Sequence, residues 1–117
     1  MPMLRVVTNL ATSLIRETFE MELTKIAASS LNKPIERIAV EVSSGARLIH
    51  GGTNDPVVII NVRSIGSLSP DQNFATTQAI TALCVDALKL KKDKVIIEFY
   101  DLDPNNVGFN GTTAARK

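Results

Sequence analysis

Cysteine is all but missing. Cys84 is the only one in the chain, so no intramolecular disulfide can form, and the composition suits a reducing compartment. An excess of one charge sign is missing too: thirteen Lys plus Arg against twelve Asp plus Glu leave a formal net charge of +1, which creates no global basic field to gather nucleic acid or an anionic membrane. The longest strongly apolar stretch, Val57 to Ile60, is bounded by Pro56 and Asn61, far short of the ~20 residues a membrane helix requires. Met1-Pro2-Met3-Leu4-Arg5 carries neither a basic leader nor an apolar h-region, so a cytoplasmic location with any export leaderless is expected. The six glycines form neither a phosphate loop nor a dinucleotide fingerprint. One histidine and one cysteine cannot build a Cys/His zinc cage; His50 is expected in a loop, and neither a metal nor another cofactor is expected.

What is present is one domain's worth of chain. With 117 residues and 44% hydrophobic content, a single core can be packed, and we treat 1–117 as one domain. Met3 to Thr8 reads as a strand ending at Asn9. From Ser13, a candidate cap, apolar positions recur at Ile15, Phe19, Leu23, Ile26, Ala27 and Leu31, the rhythm of an amphipathic helix stopped before Lys33-Pro34. Ile38 to Val42 reads as the next strand. A second round follows: a strand over Val57 to Ser64, a capping box with proline in Ser69-Pro70-Asp71-Gln72, an apolar stripe through Ile80, Leu83, Cys84, Ala87 and Leu88, and a closing strand over Lys94 to Tyr100. Cys84 on that stripe is expected to act as a small hydrophobe.

The two rounds match at an offset of 57 residues. Glu36 to Val42 falls on Asp93 to Phe99, and Leu23, Ile26, Ala27 and Leu31 fall on Ile80, Leu83, Cys84 and Leu88. Two βαβ repeats, with halves at about 1–56 and 57–117, predict an α/β (α+β) fold: a four-stranded mixed sheet with parallel strand pairs within each unit and both helices on one face. Strand alternation puts Ile38, Val40, Val42, Val95, Ile97 and Phe99 toward the helices and leaves Ala39, Glu41, Ile96, Glu98 and Tyr100 on the other face. That face is half apolar, so partner copies are expected to cover it, with Arg47-Leu48-Ile49 and Val107-Gly108-Phe109 adding to sheet edges. Asn110-Gly111-Thr112 spells a glycosylation sequon, but turn chemistry explains it better. The charged run Lys89 to Lys94 reads as a solvated helix end.

Pro2 stands immediately ahead of a strand. Removal of the initiator methionine would leave a secondary amine fixed to a rigid element, able to act as a base when neutral. Taken with Met3, Thr8-Asn9, Lys33-Pro34, Ile38-Ala39-Val40, Gly51-Gly52, Pro56, Ser64-Ile65-Gly66, Asp101 and Asn106-Val107-Gly108-Phe109-Asn110, this pattern resembles the macrophage migration inhibitory factor and D-dopachrome tautomerase family from end to end. The resemblance implies a homotrimer with three sites at subunit interfaces. It also implies keto-enol tautomerisation of phenylpyruvate- or dopachrome-type substrates, with Pro2 as catalytic base and acid. Lys33 matches the family's pocket lysine, which would anchor a substrate carboxylate and disfavour protonated Pro2. Met3, Ile65, Val107 and Phe109 match pocket walls.

Departures from the family pattern are equally specific. A tyrosine and an asparagine that reach the pocket from a neighbouring subunit are matched by Ile96 and Glu98; an ionised Glu98 would raise the Pro2 pKa and oppose Lys33. Val57 and Ile60 stand where some members carry a Cys-x-x-Cys pair, so no thiol-disulfide activity is expected. Thr12 and Gly45 stand where the vertebrate cytokine has its receptor-mimicking Arg and Asp. Two functions are therefore carried forward. One is a tautomerase, an isomerase that would also be a cytokine-like secreted protein with a cell-surface receptor as partner. The alternative is a non-catalytic trimeric receptor-binding homologue with a vestigial pocket. Neither involves nucleic acid or insertion into a membrane.

Overall fold

The computed structural model describes residues 1–116, so Lys117, the last residue of the expected domain, lies outside the described residues. β1 (Met3–Thr8), α1 (Phe19–Leu31) and β2 (Ala39–Ser43) form the first unit, and β3 (Val58–Ser64), α2 (Pro70–Leu88) and β4 (Val95–Asp101) form the second. The sheet order is β2-β1-β3-β4. β1 and β2 are parallel, β3 and β4 are parallel, and the two units meet through antiparallel β1 and β3. The expected mixed sheet is thus observed, and the repeat is visible in its register. Ala39 pairs with Met3, and Ile96, 57 positions on, pairs with Ile59, 56 positions on.

Alternation decides which face is the core. Leu4, Val6, Ile60 and Val62 are fully buried under the helices, and Ile38, Val40, Val42, Val95, Ile97 and Phe99 pack against them. From above, Phe19, Leu23, Ala27 and Leu31 of α1 and Ile80, Leu83, Cys84 and Leu88 of α2 close the layer. Each fully buried large apolar side chain contributes about 1.5–3 kcal/mol relative to exposure. The other face shows three residue rows running across the strands. The middle one is Glu41–Arg5–Asn61–Glu98, in which Arg5 Nε donates to Glu41 Oε1 at 2.8 Å. A neighbouring row brings the Arg63 guanidinium to 5.1 Å from the Tyr100 ring centre.

Three local expectations need correction. α1 starts at Phe19 with Thr18 before it, not at Ser13. A 3-10 turn over Thr12–Leu14 and an extended Ile15 precede it. Ile15 still packs on the core, so an apolar position spaced like a helical one is satisfied by a turn. The chain is held there by Arg16, whose Nε and Nη2 donate to the two Glu22 carboxylate oxygens at 2.7 and 2.6 Å. At α2 only half of the capping box forms. Ser69 Oγ accepts from Gln72 N at 3.1 Å, but the Gln72 side chain donates to the Ser30 carbonyl and so ties α2 to the end of α1. The charged run is not wholly solvated: Lys94 Nζ turns onto the His50 carbonyl at 3.1 Å and approaches its Nδ1 at 3.2 Å.

β5 (Gly108–Phe109) pairs with β6 (Thr112–Thr113) in a separate antiparallel hairpin, so within this chain Val107-Gly108-Phe109 adds to no edge of the main sheet. Among the described residues, Arg47-Leu48-Ile49 forms no strand. The hairpin turn is Asn110-Gly111, with φ of 55° and 79°. Two consecutive positive φ values define the turn that suits a right-twisted hairpin and favours Asn-Gly, so the sequon residues serve as a turn. Among the described residues no helix is long and apolar enough to cross a membrane.

Candidate functional site

Backbone hydrogen bonds bring four separate segments to one end of the sheet. α1 ends at Asn32 in the left-handed conformation (φ 52°), and Lys33 N donates to the Ala28 carbonyl at 3.1 Å. Pro34 then opens the 3-10 turn Ile35–Arg37, closed by Arg37 N and Ile38 N donating to the Pro34 and Ile35 carbonyls, each at 3.0 Å. Directly after this turn Ala39 N donates to the Pro2 carbonyl at 3.0 Å. Pro2 is buried, so the amino end is held as part of the sheet.

The opposite wall comes from the far end of β3 and from the terminal hairpin. Leu102 N donates to the Ser64 carbonyl at 2.8 Å, and Gly66 N to Asp101 Oδ1 at 3.2 Å, which fixes Ile65 between them. Gly66 takes a φ of 71°, a conformation that favours glycine and turns the chain away after Ile65. Ala114 N donates to the Val107 carbonyl at 2.9 Å and Ala115 N to the Pro104 carbonyl at 3.2 Å, folding the hairpin against the preceding turn.

Between these walls lies an open cleft of about 700 Å³, lined by Met1, Lys33, Arg37, Ile65, Val107 and Phe109, with the hairpin strand β6 and Arg116 at its side. Lys33, Ile65 and Val107 are half-buried, whereas Arg37 and Phe109 are exposed. The amine at this end of the chain, here that of Met1, is held below its ordinary value of 8.0. Burial is the main cause, followed by the like charges of Lys33 and Arg37. A base that is easier to keep neutral, a cation for an anionic group and an apolar wall therefore share one cleft.

Of the expected site residues, the structure gathers Lys33, Ile65, Val107 and Phe109 beside the chain end that carries Pro2. It does not bring the others there within one chain. Met3 points to the open sheet face, where a small separate hollow is lined by Met3, Arg5, Ala39, Glu41 and Arg63. Ile96 and Glu98 lie on the same open face of β4, opposite Ile59 and Asn61, with Glu98 Oε1 3.5 Å from the Tyr100 hydroxyl. Arg37 and Arg116 also line the cleft, and no motif in the sequence singles them out. The signal for Arg37 is its spacing of four from Lys33 across a proline-led turn.

Comparison with known proteins shows the family and the fold. The family model described as macrophage migration inhibitory factor (MIF) matches residues 1–115. The chain is 54% identical over 115 residues to the MIF-like protein mif-2 of Caenorhabditis elegans, covering 98% of this chain and 96% of that one. It is 37% identical over 115 residues to the macrophage migration inhibitory factor of Mus musculus, covering 98% and 100%. Among solved structures, the macrophage migration inhibitory factor from Oncomelania hupensis superposes with a TM-score of 0.94 at 31% identity, over 97% of this chain and 81% of that chain. The factor from Trichinella spiralis gives 0.91 at 25% identity, over 95% and 98%. By sequence along nearly its whole length and by fold, the chain belongs to the macrophage migration inhibitory factor family.

Proposed function

We propose that the protein is a keto-enol tautomerase acting on phenylpyruvate- or dopachrome-type substrates through the amine of Pro2, exposed by removal of Met1. The observation that carries this reading is the cleft that joins the chain end to Lys33, Ile65, Val107 and Phe109. Lys33 holds the substrate carboxylate by a charge-assisted hydrogen bond. In the enol-to-keto direction neutral Pro2 takes the proton of the enol hydroxyl and the resulting ammonium delivers it to the carbon beside the new carbonyl, so Pro2 ends neutral; the keto-to-enol direction runs the same two transfers backwards. The causes that lower the Met1 amine, burial and the charges of Lys33 and Arg37, act at the same chain end on the shortened protein. Met1-processed protein is assayed by the loss of enol absorbance of phenylpyruvate, beside Pro2→Gly and a variant that retains Met1. Turnover by the processed wild type alone is expected; equal rates for wild type and Pro2→Gly would overturn the proline mechanism.

The working form in this proposal is a homotrimer. Support comes from the open sheet face, which leaves Met3 44% and Tyr100 39% exposed and buries Asn61 Oδ1 without a hydrogen-bond partner among the described residues. In the trimer Ile96 and Glu98 enter the cleft from a neighbouring subunit, and Met3 completes its wall. Light scattering at micromolar concentration should give about three times the 12.7 kDa chain mass; monomer alone would rule the assembly out.

A second reading is a cytokine-like protein released without a leader, whose trimer binds a cell-surface receptor while the cleft is vestigial. Glu98, an acid proposed to oppose Lys33, motivates it. A Pro2→Gly protein that remains a trimer and keeps its full effect on responsive cells would favour this role over catalysis.

A further inference from the structure

The charge of the cleft is out of keeping with that of the chain. Cations and anions nearly cancel over the whole sequence, 13 against 12, yet within one chain the cleft lining includes Lys33, Arg37 and Arg116 and, among the described residues, no Asp or Glu; in the proposed trimer the partner subunit's Glu98 offsets one of these three cations and leaves two. The ion pairs among the described residues are Arg5–Glu41, Arg16–Glu22 and Arg16–Asp86, so none of the three cleft cations has an acidic partner there. The backbones of Lys33 and Arg37 are also held in place. One follows the left-handed end of α1, the other closes the turn Ile35–Arg37, and backbone hydrogen bonds at 3.0–3.1 Å secure both. Their fields reach the chain end, where both hold down the terminal amine. Like charges gathered around one hollow repel each other, and a bound anion relieves that repulsion.

One carboxylate needs only one cation. We propose that the cleft is built for a dianion, an aromatic or enolic keto acid bearing a second carboxylate. Lys33 takes the carboxylate next to the reacting keto group, Arg37 takes the second, and the unsaturated core lies along Ile65, Val107 and Phe109. The guanidinium fork suits the outer position because it can grip a carboxylate with two parallel N–H donors. Arg116, at the side of the hairpin, adds to the field that draws such a ligand in. The assignment of Lys33 rests on the tautomerase reading; the preference for two negative charges rests on the cleft alone.

The test compares phenylpyruvate with 4-carboxyphenylpyruvate, which differ by one carboxylate, and in parallel the binding of benzoate and benzene-1,4-dicarboxylate by NMR titration. With Met1-processed wild type, kcat/KM should favour the diacid by roughly tenfold, the size expected for one charge-assisted contact. That ratio should shrink as salt is raised. Arg37→Met should collapse the ratio toward one, and Arg37→Lys, which keeps the charge but loses the fork, should give an intermediate value. Equal kcat/KM for the two acids, or an Arg37→Met variant that lowers both alike, would overturn the dianion assignment while leaving proline chemistry standing. No turnover of either acid, together with an Arg37-dependent preference for the dicarboxylate in binding, would keep the dianion site and reject the tautomerase reading. No turnover and no binding preference would reject both.

Discussion

Ala39 N donates to the Pro2 carbonyl at 3.0 Å, and the next pair in the same parallel ladder is Met3 with Ala39. The second residue of the chain is thereby fixed to the strand that begins two residues after Arg37, so base and cations share one rigid frame. Ala39→Pro removes this N–H from the side of β2 that faces β1. The loss of one hydrogen bond should lower stability by about 1–3 kcal/mol. If Pro2 is the base, kcat for phenylpyruvate should fall further than stability alone explains, by roughly tenfold or more, because a misplaced reacting group loses its orientation. Thermal unfolding and kcat measured on the same preparation separate the two effects.

The terminal amine gives a pH prediction. The folded value of the Met1 amine lies below the ordinary 8.0, so the fold disfavours its protonated form. Its contribution to stability is present in full above the unfolded value and is lost as pH falls through the folded one. A rate that depends on neutral Pro2 should likewise rise with pH and level off once the amine has lost its proton. Burial should keep the value low in all variants, whereas Lys33→Met and Arg37→Met should each raise it and move the acid limb of the pH–rate profile to higher pH. Titration of the amino-terminal nitrogen by NMR reads the same shift without turnover, and an unmoved value in both variants would show that their charges do not reach the amine.

The repeat made most of the fold legible. An offset that maps Leu23, Ala27 and Leu31 onto Ile80, Cys84 and Leu88 maps one buried helix face onto another, and period-two alternation placed Val40 and Ile97 on the inner face of their strands. What periodicity could not mark was where regular structure begins. Ile15 keeps helical spacing while lying in extended backbone, because burial asks only that it reach the core and not that it do so from a helix. The cleft was half legible for a similar reason. Lys33, Ile65, Val107 and Phe109 were found through a family pattern, but Arg37 and Arg116 become neighbours of the chain end only when a turn and a terminal hairpin fold toward it. Ile96 and Glu98 lie on a face whose role depends on another copy, which strand alternation locates but does not fill.

Asn9, at the end of β1, clamps the loop that precedes β3. Its Oδ1 accepts from Val57 N at 3.0 Å, and its Nδ2 donates to the Asp55 and Asn54 carbonyls at 2.9 and 3.1 Å. Asn9→Ala leaves these groups without their partner and should cost about 1–3 kcal/mol. Asn9→Asp should cost more despite its nearly identical shape, because a carboxylate oxygen would replace the amide donor and face two carbonyl oxygens. Urea unfolding of both variants checks the order; an Asp variant as stable as wild type would show that the carbonyl contacts contribute nothing.

Cys84 is buried in the core on the inner face of α2, and burial pushes its thiol up from 9.0 to about 12. Almost no thiolate forms at neutral pH, so a disulfide-exchange reagent at pH 8 should react at the rate at which the chain opens and not at that of a free thiol. The sign of the pH effect is opposite to that of the amine. The fold favours the protonated thiol, so its contribution is complete below the unfolded value and declines as pH rises from about 9 toward 12. Replacement distinguishes size from polarity. Cys84→Ala leaves a small cavity costing about 1 kcal/mol, whereas Cys84→Ser buries a hydroxyl among apolar side chains and should cost about 1–3 kcal/mol. Denaturant midpoints should therefore fall in the order wild type, alanine, serine, and rapid thiol labelling of the folded wild type would contradict the buried, unreactive assignment.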